Sequence, residues 1–507
     1  MCRLLRTHLG DTEFPAHLHA KELTINVDML DVYSGAALKV LSSESYISCT
    51  FPMVRSIIFM FSDSSKSEEP TCIATISPDT ESIISAFVQR IKQIAPMTKK
   101  INIRQLPYSR NGPQFPAQQF SSIVAQLSQH VIDIEYELYH RPATIDQQLN
   151  GLRNLAYCSF ESTEGGEQIM QLARRNASTL QFLKIDIYAI IGIASLIQND
   201  NDGYMQYPYL HTFKISGKPG SDVPRQLVFP SAVPFPNLRQ LDIGYLTPFG
   251  DDAVFRSNAA TLESLILMPN PGTLRILRKG KVFTPVSHPK LQYANLGVNL
   301  DSEPNLFGTD VEYLRFVLSI GANAPVRTIT DSLTGPDFQP AIPVFGEYTC
   351  IQVLKLESLR LNLWDVIALV KALPLLLDLH TSYYVLAPRP DGVAEHELPA
   401  YVIANYAPTG KRFRCCHFSI DPTGDVNNSV RCVLLLALVC PNFDYAAVTR
   451  TDRDLFMAYM KAMIAIDEFR PYESRLQRLL FGGPENRILS VDTLLEAKEA
   501  GFGSWGW

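Results

Sequence analysis

The chain has 507 residues, of which 46% are hydrophobic and 19% charged, and its net charge is −6. It is too apolar for a disordered protein, too poor in charge for a coiled coil, and lacks the basic field that draws proteins to nucleic acid or anionic membranes. Nine scattered cysteines with no C-x-x-C pair read as reduced thiols, so a cytoplasmic or nuclear location is expected.

Residues 1–20 carry two arginines and a histidine among the first eight positions and no apolar run of a secretory signal, and they read as an N-terminal extension. HAKELTINV (19–27) then alternates as a first strand, and DVYSGAALKVLSS (31–43) reads as its helix. A cadence follows that fills most of the chain. FPMVRSIIF places Val54, Ile57 and Phe59 in the spacing L-x-x-L-x-L, and weaker copies follow at Ile101 and Ile103, at Val131, Ile134 and Tyr136, and at Leu152, Leu155 and Tyr157. The sharpest copies begin at Leu180 (NASTLQFLKIDI), Leu210 (YPYLHTFKIS), Leu238 (FPNLRQLDIG), Leu262 (NAATLESLIL) and Leu291 (HPKLQYANLG), 24 to 30 residues apart. Further copies place Val326 and Ile329, then Ile351, Leu354 and Leu356, then Leu376 and Leu379, then Phe413, Cys416 and Phe418, and last Phe443, Ala446 and Val448 in the same pattern.

Between cadences the apolar period changes from two to about 3.6. SPDTESIISAFVQRIKQIAP (77–96), EGGEQIMQLARRNAS (164–178), TDVEYLRFVLSIGANAP (309–325), LNLWDVIALVKALP (361–374) and NNSVRCVLLLALVCP (427–441) read as helices, each running into a Pro, Asn or Gly before the next strand. The longest apolar run, Val433–Cys440, is far short of the roughly 20 residues of a membrane helix, so no membrane is expected as a partner. One strand and one helix cannot bury their own apolar faces, whereas stacked copies share a continuous core. The expected fold is therefore an α/β solenoid over residues 21–450, with a curved parallel sheet on the concave face and helices on the convex face. Residues 451–490 read as a helical C-terminal cap interrupted at Pro471, and residues 491–507 as a tail.

The cadence, with phrases such as AKELTI, AFVQRIKQIAP and FPNLRQLDI, resembles the long, irregular repeats of fungal F-box/leucine-rich-repeat-like proteins. That resemblance implies a leucine-rich-repeat fold and a substrate-recognition role in an SCF-type ubiquitin ligase with a Skp1-like adaptor, or a shortened relative without the F-box. A scaffold or structural repeat protein and a cryptic enzyme remain the alternatives.

Strand residues alternating with the core apolars are the candidate partner-binding set. They are Phe182, Lys184 and Asp186; Thr212 and Lys214; Gln240 and Asp242; Ser264 and Ile266; Tyr293 and Asn295; and Val353, Lys355 and Glu357. Mixed charge with aromatics suits recognition of a protein. No G-x-S-x-G elbow, H-E-x-x-H helix or G-K-[ST] loop is present, so neither catalysis nor a cofactor is expected. GFGSWG (501–506) matches G-x-G-x-x-G in letters but has no helix after it to meet a phosphate, and reads as a tail. In Cys415-Cys416-His417 adjacent strand residues point to opposite faces, no second pair of ligands sits at zinc-site spacing, and Cys416 falls on a core position, so this cluster reads as buried thiol. His17 and His19 read as a solvated pair, and the Asn176-Ala-Ser and Asn427-Asn-Ser sequons carry no weight without a secretory signal.

Overall fold

The computed structural model describes residues 20–28, 50–62, 80–105, 126, 131–138, 149–159, 166–186, 196, 205–216, 235–243, 258, 260–267, 289–297, 310–319, 324–330, 342–385, 390–419, 426–443, 445–449, 453–466 and 468–481. The helix expected at 31–43, both chain ends and the side chain of Glu357 lie outside the described residues. The chain divides into two compact units, Met1–Leu262 and Glu263–Trp507.

The described residues of the first unit form eight strands: β1 Glu22–Asp28, β2 Ser56–Ser62, β3 Lys100–Gln105, β4 Asp133–Leu138, β5 Asn154–Ser159, β6 Phe182–Asp186, β7 Thr212–Ser216 and β8 Gln240–Ile243. Each pairs in parallel with the next in chain order. In-register pairing turns the sequence cadence into rows. One core row runs Leu23, Ile57, Ile101, Ile134, Leu155, Leu183, Phe213, Leu241, all buried. Helix α1, Thr80–Ile94, lays Ile83, Ile84, Phe87, Val88, Ile91 and Ile94 against that face, with the Phe87 ring edge-on to Phe59 at 6.3 Å. Helix α2, Gly166–Arg175, buries Ile169, Met170, Leu172 and Ala173. At about 1.5–3 kcal/mol per large apolar side chain, this burial outweighs any single polar contact in the unit.

The described residues of the second unit form seven strands, β9 Ser264–Leu267, β10 Tyr293–Gly297, β11 Val326–Thr330, β12 Val353–Asn362, β13 Asp378–Val385, β14 Cys415–Ser419 and β15 Tyr445–Thr449, again parallel and in order. Its described helices are α3 Asp310–Ser319, α4 Ile342–Gly346, α5 Leu363–Ala372, α6 Leu398–Tyr406, α7 Val426–Val439, α8 Arg453–Ile464 and α9 Glu473–Phe481. Helix α7 is the centre of this core: α5, α6, α8 and α9 all pack on it, and Cys432 to Val439 are buried without a break. Its apolar run is thus a helix enclosed by other helices, and among the described residues no helix is long and apolar enough to cross a membrane. Asn362 caps α5 in a reciprocal box with Asp365, side chain to backbone at 3.0 Å in both directions. Pro471 sits in a 3-10 turn, Arg470–Tyr472, between α8 and α9. Arg431 on α7 ties this end together, bonding Glu468 at 2.6 Å and Glu395 at 2.5 Å.

Every expected cadence forms a strand, and the structure extends the motif upstream. Three residues before the first cadence position lies a turn whose leading residue is buried in most copies: Phe51, Tyr207, Phe235, Leu373 and Cys440 precede Val54, Leu210, Leu238, Leu376 and Phe443, each turn closed by an i to i+3 backbone bond. Phe235 is therefore more than the break before a strand, since its ring packs on Phe213 at 5.2 Å and Tyr207 at 5.6 Å. In the copy at Phe413 the leading residue is Gly410, at φ +56°, because Val370 of α5 occupies the space its Cβ would need.

One expected rung is displaced. Val326 pairs with Tyr293 and Val353 on the outward row, and the core position of β11 belongs to Arg327, opposite Ala294 and Leu354 and 1% exposed. The cadence there is Ala324, Arg327, Ile329, which hydrophobic spacing alone reads one step out of phase. Burial lowers the Arg327 guanidinium to about 10, opposed by nearby Cys350 and Tyr348.

Candidate functional site

In most copies the residue before the strand passes its N–H to the matching carbonyl one repeat earlier: Gln181 to Arg153, His211 to Gln181, Arg239 to His211, and in the second unit Leu377 to Gln352 and Arg414 to Leu377; before β11 that residue is Pro325, which has no N–H, and Val326 donates to Gln292. Side chains reinforce this ladder. Asn176, 1% exposed, accepts from the Leu152 N–H and donates to the Leu149 and Leu172 carbonyls, all at 2.9 Å. In the same N-A-x-T-L phrase Thr179 donates to the Leu152 carbonyl at 2.8 Å, and Thr261 does the same to Leu238 at 2.9 Å. Asn237 and Asn442, in the P-N phrases, donate to the Pro208 and Lys411 carbonyls of the preceding repeats. These contacts fix the register of the outward-facing rows.

The outward face is chemically uneven. On β3–β5 its charges are matched within the sheet: Lys100 pairs with Glu135 and Arg104 with Glu137, both at 3.1 Å, while Asn102 donates to Glu135 and Asn154 to Asp133. On β6–β8 the candidate residues form two rows across three strands. Phe182, Thr212 and Gln240 stand in one, with Thr212 bonded to Gln240 at 3.3 Å; Lys184, Lys214 and Asp242 stand in the next. Lys184 and Lys214 are half-buried and directly opposite each other, and among the described residues neither forms an ion pair with an acid. Asp186, at the end of β6, is only 4% exposed and offers a partner almost no surface.

In the second unit Ser264 and Tyr293 are register partners, as are Ile266 and Asn295, and all four are half-buried. The row of Asn295 continues through Thr328, Lys355, His380 and His417. Lys355 is 7% exposed and lies near Asp378, so it is part of a buried electrostatic group rather than a contact residue. Burial pushes the Asp378 carboxyl up to about 6, against the opposing pull of Lys355 and Arg414. Hydrophobic cadence could not reveal Asp378 or His380, because both occupy the outward positions that alternate with Leu379. Cys416 is buried in the core as expected, and among the described residues no three His, Cys, Asp or Glu side chains form a metal cluster.

No protein-family model matches the chain, and no curated protein matches it. Among solved structures it is similar to the complex of Rad7 and Elc1 in yeast, with 11% identity over 80% of this chain and 72% of that chain. The TM-score is 0.25, a likeness that carries no argument about function.

Proposed function

We propose that this chain is a non-enzymatic protein-interaction module that binds an acidic segment of a partner protein across β6–β8. The facing pair Lys184 and Lys214 carries the reading. Like charges opposite one another on a sheet are destabilising. An acidic side chain laid across both would relieve that repulsion, while Phe182 and Thr212 supply the apolar and hydrogen-bonding contacts beside it. The narrower role, a substrate-recognition subunit related to F-box/leucine-rich-repeat proteins with a Skp1-like adaptor, rests on the resemblance of the repeats alone.

Affinity purification of the whole chain beside a Lys184→Glu, Lys214→Glu variant tests the binding face. The expected result is loss of the partners that wild type captures, with the melting temperature held. An unchanged partner set overturns the proposal, and absence of a Skp1-like protein from the wild-type set removes only the adaptor role.

A further inference from the structure

The residues that enter the strands of the first unit make a row of their own. Arg55 donates its N–H to the Lys21 carbonyl, Lys99 to Arg55, Ile132 to Lys99 and Arg153 to Ile132, at 2.7–3.0 Å. This ladder stacks the entry residues at the strand spacing of about 4.8 Å. It continues through Gln181 and His211 to Arg239, so the row holds five Lys or Arg and no acid. Lys21, Arg55, Lys99 and Arg153 are exposed, and among the described residues none of these four forms an ion pair. Solvated surfaces ordinarily mix both signs, because like charges on neighbouring strands repel. In the second unit the matching positions do mix them, with Glu263, Gln292, Pro325, Gln352, Leu377 and Arg414.

The turn ahead of each entry residue adds apolar surface. In Phe51-Pro52-Met53-Val54, Ala95-Pro96-Met97-Thr98 and Tyr207-Pro208-Tyr209-Leu210 the first residue is buried and accepts the N–H of the fourth, at 3.2, 3.3 and 3.2 Å. The middle two residues then form the tip. Met53, Met97 and Tyr209 are accordingly 49%, 52% and 56% exposed, and they are three of the five large exposed apolar side chains among the described residues. Met53 and Met97 stand two residues ahead of Arg55 and Lys99, so thioethers and cations share one edge of adjacent repeats.

We infer that this strand-entry edge is a docking surface for an acidic protein segment with apolar side chains between its carboxylates. The carboxylates meet Lys21, Arg55, Lys99 and Arg153, and the apolar side chains cover Met53 and Met97. Charge complementarity selects an anion, and the thioethers select its carrier, since flexible methionine repacks around apolar side chains. Single-stranded nucleic acid gains its stacking from aromatic rings, and none stands at an entry position of this row. Size decides against a bilayer. A short segment lies within the Debye length of about 8 Å and feels the local row, whereas an extended anionic surface also meets the repulsion of a chain of net charge −6. This surface goes beyond the face of Lys184 and Lys214, which lie three residues after the entry residues Gln181 and His211, and it stands without that face.

The full chain is titrated into a fluorescein-labelled peptide of glutamate and leucine, an all-glutamate peptide of equal length, labelled single-stranded DNA and phosphatidylserine vesicles. The expected result is salt-sensitive binding of the glutamate–leucine peptide, at least about threefold tighter than the all-glutamate peptide and tighter than DNA or vesicles. Arg55→Glu, Lys99→Glu and Arg153→Glu together should weaken it at least about tenfold, Met53→Ser with Met97→Ser at least about threefold, and Lys290→Glu at the second unit's matching turn less than about twofold. All these side chains are exposed, and circular dichroism checks that each variant keeps its fold. No peptide binding by wild type, unchanged affinity in the folded triple variant, or tighter binding of DNA or vesicles overturns the inference. The face proposal is read separately, from partner capture by the Lys184→Glu, Lys214→Glu variant.

Discussion

Replacing Asn176 with alanine removes one side chain that makes three buried hydrogen bonds from the turn between α2 and β6, two of them to the segment ahead of β5. The loss falls on specific partners. The Leu152 N–H loses its 2.9 Å acceptor, and Leu149 and Leu172 lose a shared donor, with Leu149 and Leu152 themselves 5% and 0% exposed. Each buried polar group left without a partner costs about 1–3 kcal/mol. The Leu172 carbonyl still accepts from the Asn176 backbone N–H, so its loss is the smallest of the three. Two fully orphaned groups then put the destabilisation at roughly 3–4 kcal/mol. Urea unfolding of wild type and Asn176→Ala measures it, and hydrogen exchange places it, with faster exchange expected in β5, α2 and β6 and unchanged rates in β12–β14. Thr179→Val, which removes one hydroxyl shared between the Leu152 carbonyl at 2.8 Å and the Asn176 carbonyl at 3.2 Å, should cost about 1 kcal/mol. A loss below about 0.5 kcal/mol for Asn176→Ala, the range of ordinary surface substitutions, would refute the latch.

Asp378 makes stability depend on pH. Its folded value is raised to about 6 from an ordinary 3.8, so the folded state holds a proton that the unfolded state releases, and stability falls as pH rises from about 4 to about 6. The full shift corresponds to about 3 kcal/mol as an upper bound; Asp378→Asn should flatten that window, and an unchanged slope in chemical denaturation would count against a desolvated carboxyl. Arg431→Ala strands Glu468 in a site where the pair is only 10–12% exposed, so the melting temperature should drop by the equivalent of about 3 kcal/mol. Gly410→Ala adds a Cβ against Val370 and Phe413 at a left-handed φ, and should cost about 2 kcal/mol or more, read from its unfolding midpoint.

The periodic part of the structure was legible because it depends on apolar spacing. Leu180, Leu183 and Ile185, or Leu238, Leu241 and Ile243, announce a strand and its buried face together, and all three residues in each set are buried. Polar residues that work across repeats carry no such signal. Asn176 read as an idle sequon, yet its partners lie 24 and 27 residues upstream, one repeat away. Arg327 at a core position broke the hydrophobic pattern and drew the reading to Val326, its outward neighbour. Lys355 alternates with Leu354 and Leu356 in the sequence, but its burial depends on what surrounds β12, which no local pattern encodes.

The measurement closest to the central claim is the affinity of a captured partner for wild type and for the Lys184→Glu, Lys214→Glu variant, taken at low and at high salt. The account predicts at least about a tenfold loss in the variant and weaker wild-type binding at high salt, since charge reversal replaces attraction to an acidic segment with repulsion. Equal affinities at both salt concentrations, with both proteins folded, would contradict it and move the binding surface away from β6–β8.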